Sequence, residues 1–163
     1  MLSVPTGGVE MKEEYARMTG GCLCGAVRYE ASEPPDLNGT CHCRACQKWT
    51  GGAYLAFAGF HKLAFRFTQG EPKFYQSSAI MERGFCANCG SGVVNRYLFP
   101  KWEDRVFVGL GTLDDPEAIP LHFHFGVESQ LSWVHFDDDL HRARCDEDPD
   151  LAAAFAAAEL NKV

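Results

Sequence analysis

The sequence predicts one mainly-β domain closed by a short C-terminal helix. Three observations point there. Many of the twelve phenylalanines sit in short alternating runs, the period-two pattern of half-buried strands. Turn-forming residues punctuate those runs. A chain of 163 residues, 46% hydrophobic and 23% charged, suits a single core rather than two domains or a disordered chain.

Taken in order, residues 1–18 show no periodicity and read as an N-terminal extension, with the domain expected over 19–148 and the helix over 149–163. The segment CLCGAVRYE ends in a β-favouring run, which PPDLNG breaks. A short turn or helix follows around RACQKW. AYLAFAGF is a mostly apolar strand, and LAFRF alternates, placing Leu63, Phe65 and Phe67 on one face. KFYQSS, IMERGF, RVFVGL and LHFHF supply further strands, with GTLDDPEAIP a turn between the last two. In DPDLAAAFAAAEL, Asp148 can cap a helix, Pro149 suits its first position and the alanines favour propagation. No repeat or linker divides the chain.

The formal charge of −7, with no clustered Lys and Arg, argues against a nucleic-acid partner. No apolar stretch approaches the roughly 20 residues that span a bilayer, so no membrane partner is expected. The N-terminus lacks the basic-then-apolar order of a secretory signal. The expected compartment is therefore the cytoplasm, where disulfides are rare, and the eight cysteines are not read as four bridges.

Seven of those cysteines fall into three groups: Cys22 and Cys24 as C-x-C, Cys41, Cys43 and Cys46 as C-x-C-x-x-C, and Cys86 and Cys89 as C-x-x-C. Zinc explains the spacing, because sulfurs about 2.3 Å from a tetrahedral ion sit roughly 3.8 Å apart. Residues two apart on a strand share a side, and a C-x-x-C turn followed by glycine folds back beneath a metal. A closed structural site takes four ligands, while a catalytic zinc keeps three and an open position. Seven divides as four plus three. Cys22, Cys24, Cys86 and Cys89 tie the start of the domain to its middle, and Cys41, Cys43 and Cys46 form an open site, giving two zinc ions per chain.

Alternatives stand beside this reading. His42, His122, His124 or Cys145 could close the second site, though an extended backbone aims His42 away from its flanking cysteines. Cys145 reads as a surface thiol. An iron–sulfur cluster would want four cysteines, and a redox pair shares the C-x-x-C spacing.

With GGCLCGAVRY, CHCRACQKWTG, FYQSS, RGFCANCGS, GTLDDP and HFGVESQLSW in order, the chain resembles the glutathione-dependent formaldehyde-activating family, also called centromere-protein-V-like. The resemblance implies a β-tent of antiparallel sheets around a four-cysteine zinc on Cys22, Cys24, Cys86 and Cys89. It also implies a catalytic zinc on Cys41, Cys43 and Cys46. The activity it implies is a carbon–sulfur lyase or thiol–aldehyde adduct enzyme, condensing glutathione or a similar small thiol with formaldehyde. An alternative is a non-catalytic zinc-binding interaction module on the same fold. A homodimer is compatible with either.

Two positions depart from the family's pattern. Gln47 and Gln130 stand where relatives often carry basic residues, which are natural partners for the carboxylates of glutathione. Arg44, Lys48 and Arg83 are the cations that could compensate, although Arg83 reads first as a strand-surface residue. His122 and His124 read as the polar face of a half-buried strand, with His124 the alternative candidate for a substrate or proton partner near the zinc. Trp49 and Trp133 read as core or pocket wall.

Overall fold

The computed structural model describes residues 17–157. Residues 1–16 of the expected extension and 158–163 of the expected helix lie outside the described residues. The strands are β1 (Met18–Gly21), β2 (Arg28–Ala31), β3 (Leu37–Cys41), β4 (Leu55–His61), β5 (Phe65–Gln69) and β6 (Lys73–Ser78). They continue as β7 (Met81–Phe85), β8 (Gly92–Tyr97), β9 (Arg105–Gly109), β10 (Phe123–Phe125) and β11 (His141–Ala143). Helix α1 spans Arg44–Thr50 and α2 spans Pro149–Ala157. The protein is therefore mainly β, with two sheets and a short C-terminal helix.

β1, β2 and β5 form a small antiparallel sheet, and the other eight strands form a large one in the order β11-β10-β3-β4-β9-β8-β7-β6. Alternation gives the large sheet two different faces. On one face Ala58, Val108 and Val94 lie in register, with Phe60 and Val106 beside them, and pack against Tyr29 and Ala31 of the small sheet. Phe60 is fully buried there, a contribution of about 1.5–3 kcal/mol for such a side chain. The other face carries a cross-sheet row of Leu37, Gly59, Phe107, Asn95 and Arg83. Cys41, Leu55 and Phe57 share that face. Gly59 leaves room for its neighbour, since a Cβ there would meet the Phe107 ring at 2.8 Å.

Strands β2, β4, β6, β7, β9 and β10 match the expected runs. β1 begins at Met18, inside the stretch read as extension, and β8 and β11 had no counterpart in the pattern. β3 takes in the LNG that reads as a breaker. Its polar side chains are satisfied by tertiary partners, Asn38 donating to the Pro120 carbonyl. Leu63 is 85% exposed, because Lys62–Ala64 forms a 3-10 turn capped by His61 and β5 starts only at Phe65. Both sheets are antiparallel except at the edge, where β10 pairs parallel with β3 and with β11.

The helix ends follow their sequence signals. Gly51 closes α1 with φ at +69°, a left-handed conformation glycine adopts freely. Asp148 Oδ1 accepts from the Leu151 N–H at 3.1 Å and also pairs with Lys101. Leu151 and Phe155 then bury against Ile80 and Cys145, holding the C-terminal segment over the large sheet.

Candidate metal centres and cavity

Each cysteine group forms at a turn. Cys22 and Cys24 follow β1 in a loop where the Cys22 N–H donates to Val27 O at 3.0 Å. Cys86 and Cys89 lie between β7 and β8, where the Gly90 N–H donates to Cys86 O at 2.9 Å. A glycine with φ of +76° follows the second cysteine of each pair, Gly25 and Gly90. The Sγ atoms of Cys22 and Cys24 lie 3.6 Å apart, and those of Cys24 and Cys86 3.8 Å apart. All four sulfurs fall within 4.8 Å of one another. Neither C-x-C lies wholly on a strand, so the turns, not strand alternation, bring these sulfurs together.

The protein orients these sulfurs with its own donors. The Val27 N–H reaches Cys22 Sγ at 3.2 Å, and Ser91 Oγ lies 3.2 Å from Cys89 Sγ. Ser91, through side chain and backbone, holds the Cys89 thiol down at about 5. The Ala26 amide favours the Cys24 thiolate, but the sulfurs of Cys22 and Cys89 outweigh it and push that thiol up to about 11. Four thiols this close cannot all ionise unless a cation sits among them. A compact set of four soft sulfurs is the donor set that zinc takes.

The second group forms at a strand-to-helix corner. Cys41 ends β3, Cys43 occupies the N-cap of α1, and Cys46 lies in that helix. The sulfurs of Cys41 and Cys43 are 3.4 Å apart, and all three fall within 4.8 Å. Cys41 and then Cys46 share their protons with Cys43 and hold it down at about 3. Sharing with Cys43 and Cys46, then burial, pushes Cys41 well up. Three sulfurs fit a metal with one position left to an outside ligand.

Cys41 and Cys46 line a cavity of about 960 Å³ on the second face of the large sheet. Six aromatic residues line it, Phe57, Phe107, Phe123, Phe125, Tyr97 and Trp102, alongside charged and polar ones that include Lys101, Arg105, His122 and Asp139. Arg83 also lines it. That guanidinium is only 5% exposed, donating from Nε to Ser77 Oγ and from Nη1 to Asn95 Oδ1, each at 3.2 Å, and lying 5.5 Å over the Trp49 ring. Among the described residues it pairs with no carboxylate. Its charge is the smallest of the influences that favour the Cys43 thiolate. At Cys46, Cys41 favours the thiolate and Arg83 adds to it, but sharing with Cys43, then burial, pushes that thiol up to about 12.

The family model described as glutathione-dependent formaldehyde-activating enzyme matches residues 17–128, which carry all seven clustered cysteines. The chain belongs to that family. An uncharacterised lyase of Schizosaccharomyces pombe is 32% identical over 109 residues, covering 59% of this chain and 78% of the relative. A Halomonas elongata protein, provisionally named a glutathione-dependent formaldehyde-activating enzyme, is 28% identical over 130 residues, covering 74% of this chain and 81% of the relative. A crystal structure of a Rhodobacter sphaeroides protein covers 77% of this chain and 99% of its own at 18% identity and a TM-score of 0.47, too loose a likeness to bear weight.

In this family member, the other singled-out residues take several positions. His124 is fully buried, with Nδ1 2.7 Å from Thr40 Oγ1 and Nε2 3.1 Å from Asp138 Oδ2. It pairs with Thr40 rather than Cys41, so it faces away from the cavity. His42 turns to that same side, as expected, and His122 lies at the cavity rim. Cys145 is not a surface thiol: it is 8% exposed, in a cluster that Cys43 packs against, yet its sulfur stands outside the three-sulfur group.

Gln47 is buried and donates to the carbonyls of His42 and Ser129, at 2.7 and 2.9 Å, so this position braces the cysteine loop. Arg44 donates to Gln47 from the surface, and Lys48 is exposed. Of the three compensating cations, only Arg83 lines the cavity. Trp49 is half-buried and edges onto Phe85, whereas Trp133 is 69% exposed and belongs to neither core nor pocket. Tyr97 and Trp102, both cavity residues, escaped sequence reasoning because YLFPKWED carries no period that places them.

Among the described residues, no helix is long and apolar enough to cross a membrane.

Proposed function

We propose that this chain is a zinc-dependent carbon–sulfur lyase that forms or breaks the bond between a small thiol and an aldehyde carbon. Glutathione is one such thiol, with S-(hydroxymethyl)glutathione the corresponding adduct of formaldehyde. The observation that carries the reading is that Cys41 and Cys46, two of three clustered sulfurs, open onto a large cavity. Cys22, Cys24, Cys86 and Cys89 would hold a second, structural zinc. A zinc ion at the three-cysteine site would supply Lewis acidity that lowers the pKa of an incoming thiol.

The chain's own groups divide the remaining work. In the forward direction a thiol loses its proton, sulfur bonds to the carbonyl carbon, and the displaced π pair moves to oxygen, which takes a proton. Arg83 favours anionic sulfur near the cysteines, and the aromatic wall excludes the water that would screen that charge. Tyr97, kept protonated by burial first and then by the neighbouring cysteines, presents a hydrogen-bond donor for the developing oxyanion. Its ring is fixed edge-on against Phe99, Trp102 and Phe107.

Exchange NMR on mixtures of thiol and aldehyde tests the proposal. Faster adduct exchange with protein, lost in Cys43→Ser, is expected. No acceleration for any small thiol paired with either a small or an apolar aldehyde would remove it.

A further inference from the structure

We infer that the cavity takes a ligand with an apolar body, an aryl or branched-alkyl group. On the function proposed above, that ligand is the carbonyl partner of the thiol. Formaldehyde is two heavy atoms, whereas 960 Å³ lies near the top of the roughly 300–1,000 Å³ range of small-molecule pockets. A cavity of that size beside the reacting sulfurs binds well only what fills it.

The wall says what should fill it. Phe57 meets Phe107 edge-to-face with centroids 5.8 Å apart and Phe123 at 5.9 Å, and Trp102 stacks on Phe107 at 5.3 Å. These rings brace one another, so the surface exists before any ligand arrives. Phe57 and Phe107 pack in one cluster with Cys41 and Cys46, and Phe123 and Trp102 pack against it.

The charges at its margin are mostly committed. Lys101 pairs with Asp148 and Asp150, and Arg105 with Asp36 and Asp104. Of the Lys and Arg residues in the lining, only Arg83 lacks a carboxylate partner among the described residues; Asp139, His122 and His141 share the lining toward the C-terminal edge strand. The two carboxylates and peptide groups of a tripeptide would find few partners on the aromatic wall, and buried polar groups left unpaired are costly. An apolar body finds ring faces and edges on the part of the wall that Phe57, Phe107, Phe123 and Trp102 form.

The test uses the zinc-loaded full chain with one thiol, glutathione, and two aldehydes, formaldehyde and phenylacetaldehyde. Each buried methylene is worth about fourfold in affinity. A buried group of benzyl size is worth roughly 10- to 150-fold in all, so relative to the uncatalysed rates kcat/KM for phenylacetaldehyde should exceed that for formaldehyde by about that factor. Binding of the unreactive analogue 2-phenylethanol is read separately by saturation-transfer NMR. It should bind, and Phe123→Ser, at a half-buried wall position, should weaken that binding by about fivefold or more. Equal or better turnover of formaldehyde, with no binding of 2-phenylethanol, would overturn the inference and leave the proposed reaction standing. Binding of 2-phenylethanol that Phe123→Ser weakens, with neither aldehyde turned over, would uphold the ligand class and remove the reaction.

Discussion

Arg83 and Asn95 lie directly opposite on neighbouring strands, and the guanidinium donates to the amide oxygen at 3.2 Å on the floor of the cavity that Cys41 and Cys46 also line. A buried cation bonded only to neutral oxygens is costly unless an anion comes to it. On the proposed function, the thiolates of the cluster and an anionic sulfur of the substrate are the anions that would offset it.

Arg83→Met keeps the aliphatic stem and removes the charge. It should fold, and kcat/KM for adduct formation should fall about 10- to 150-fold, corresponding to about 1.5–3 kcal/mol for a charge-assisted contact. Steady-state kinetics beside circular dichroism checks this. Unchanged kinetics in a folded variant would show that the charge plays no part.

Tyr97→Phe removes one hydroxyl from the same cavity and leaves the ring packing intact. The expected result is a fall in kcat of about 100-fold with KM little altered, as for loss of one oxyanion donor. A fall confined to KM would instead make Tyr97 a binding contact.

The two cysteine groups should fail differently. Cys86→Ser breaks the group that joins the β1–β2 loop to the β7–β8 turn, and should give insoluble protein or a non-cooperative melt, because structural zinc contributes folding free energy. Cys43→Ser should melt cooperatively and retain one zinc per chain by elemental analysis. Two zinc ions retained in that variant would dissolve the three-cysteine assignment.

Asp148 sets an acid limit on the C-terminal helix. Burial works against its charge, but Lys101 and the Leu151 amide outweigh burial and hold its carboxyl below the usual range. With the folded value depressed below the unfolded one of about 3.9, its contribution is complete above roughly pH 5 and is lost as pH falls through the folded value. Asp148→Asn should therefore lower Tm at neutral pH, and the gap from wild type should narrow below about pH 4. A gap constant down to pH 2.5 would show that the carboxylate charge contributes nothing.

Much of this was legible in sequence because it is local. Within each motif the cysteines are brought together, and α1 and the Asp148 cap follow from neighbouring residues. The meeting of Cys22 and Cys24 with Cys86 and Cys89, about sixty residues apart, is tertiary. What escaped depends on distant partners. β3 forms across Asn38 and Gly39 because Phe123 and Pro120, more than eighty residues later in the chain, close over them. Arg83 and Cys145 carry no local sign of burial, since the cavity and the C-terminal segment that cover them are assembled from remote strands. His124 shows the same limit. Alternation gave it a face, but only its pairing with Thr40 shows that the face points away from Cys41.

The most direct measurement of the central claim is zinc-edge X-ray absorption on protein carrying two zinc ions, recorded while glutathione and a simpler thiol are added. The account predicts that seven cysteine sulfurs shared between two ions become eight sulfurs as the added thiol takes the open position. A spectrum that already fits eight sulfurs, or one indifferent to every thiol, would mean that the second centre is closed or does not engage the substrate, and the proposed reaction would fall with it.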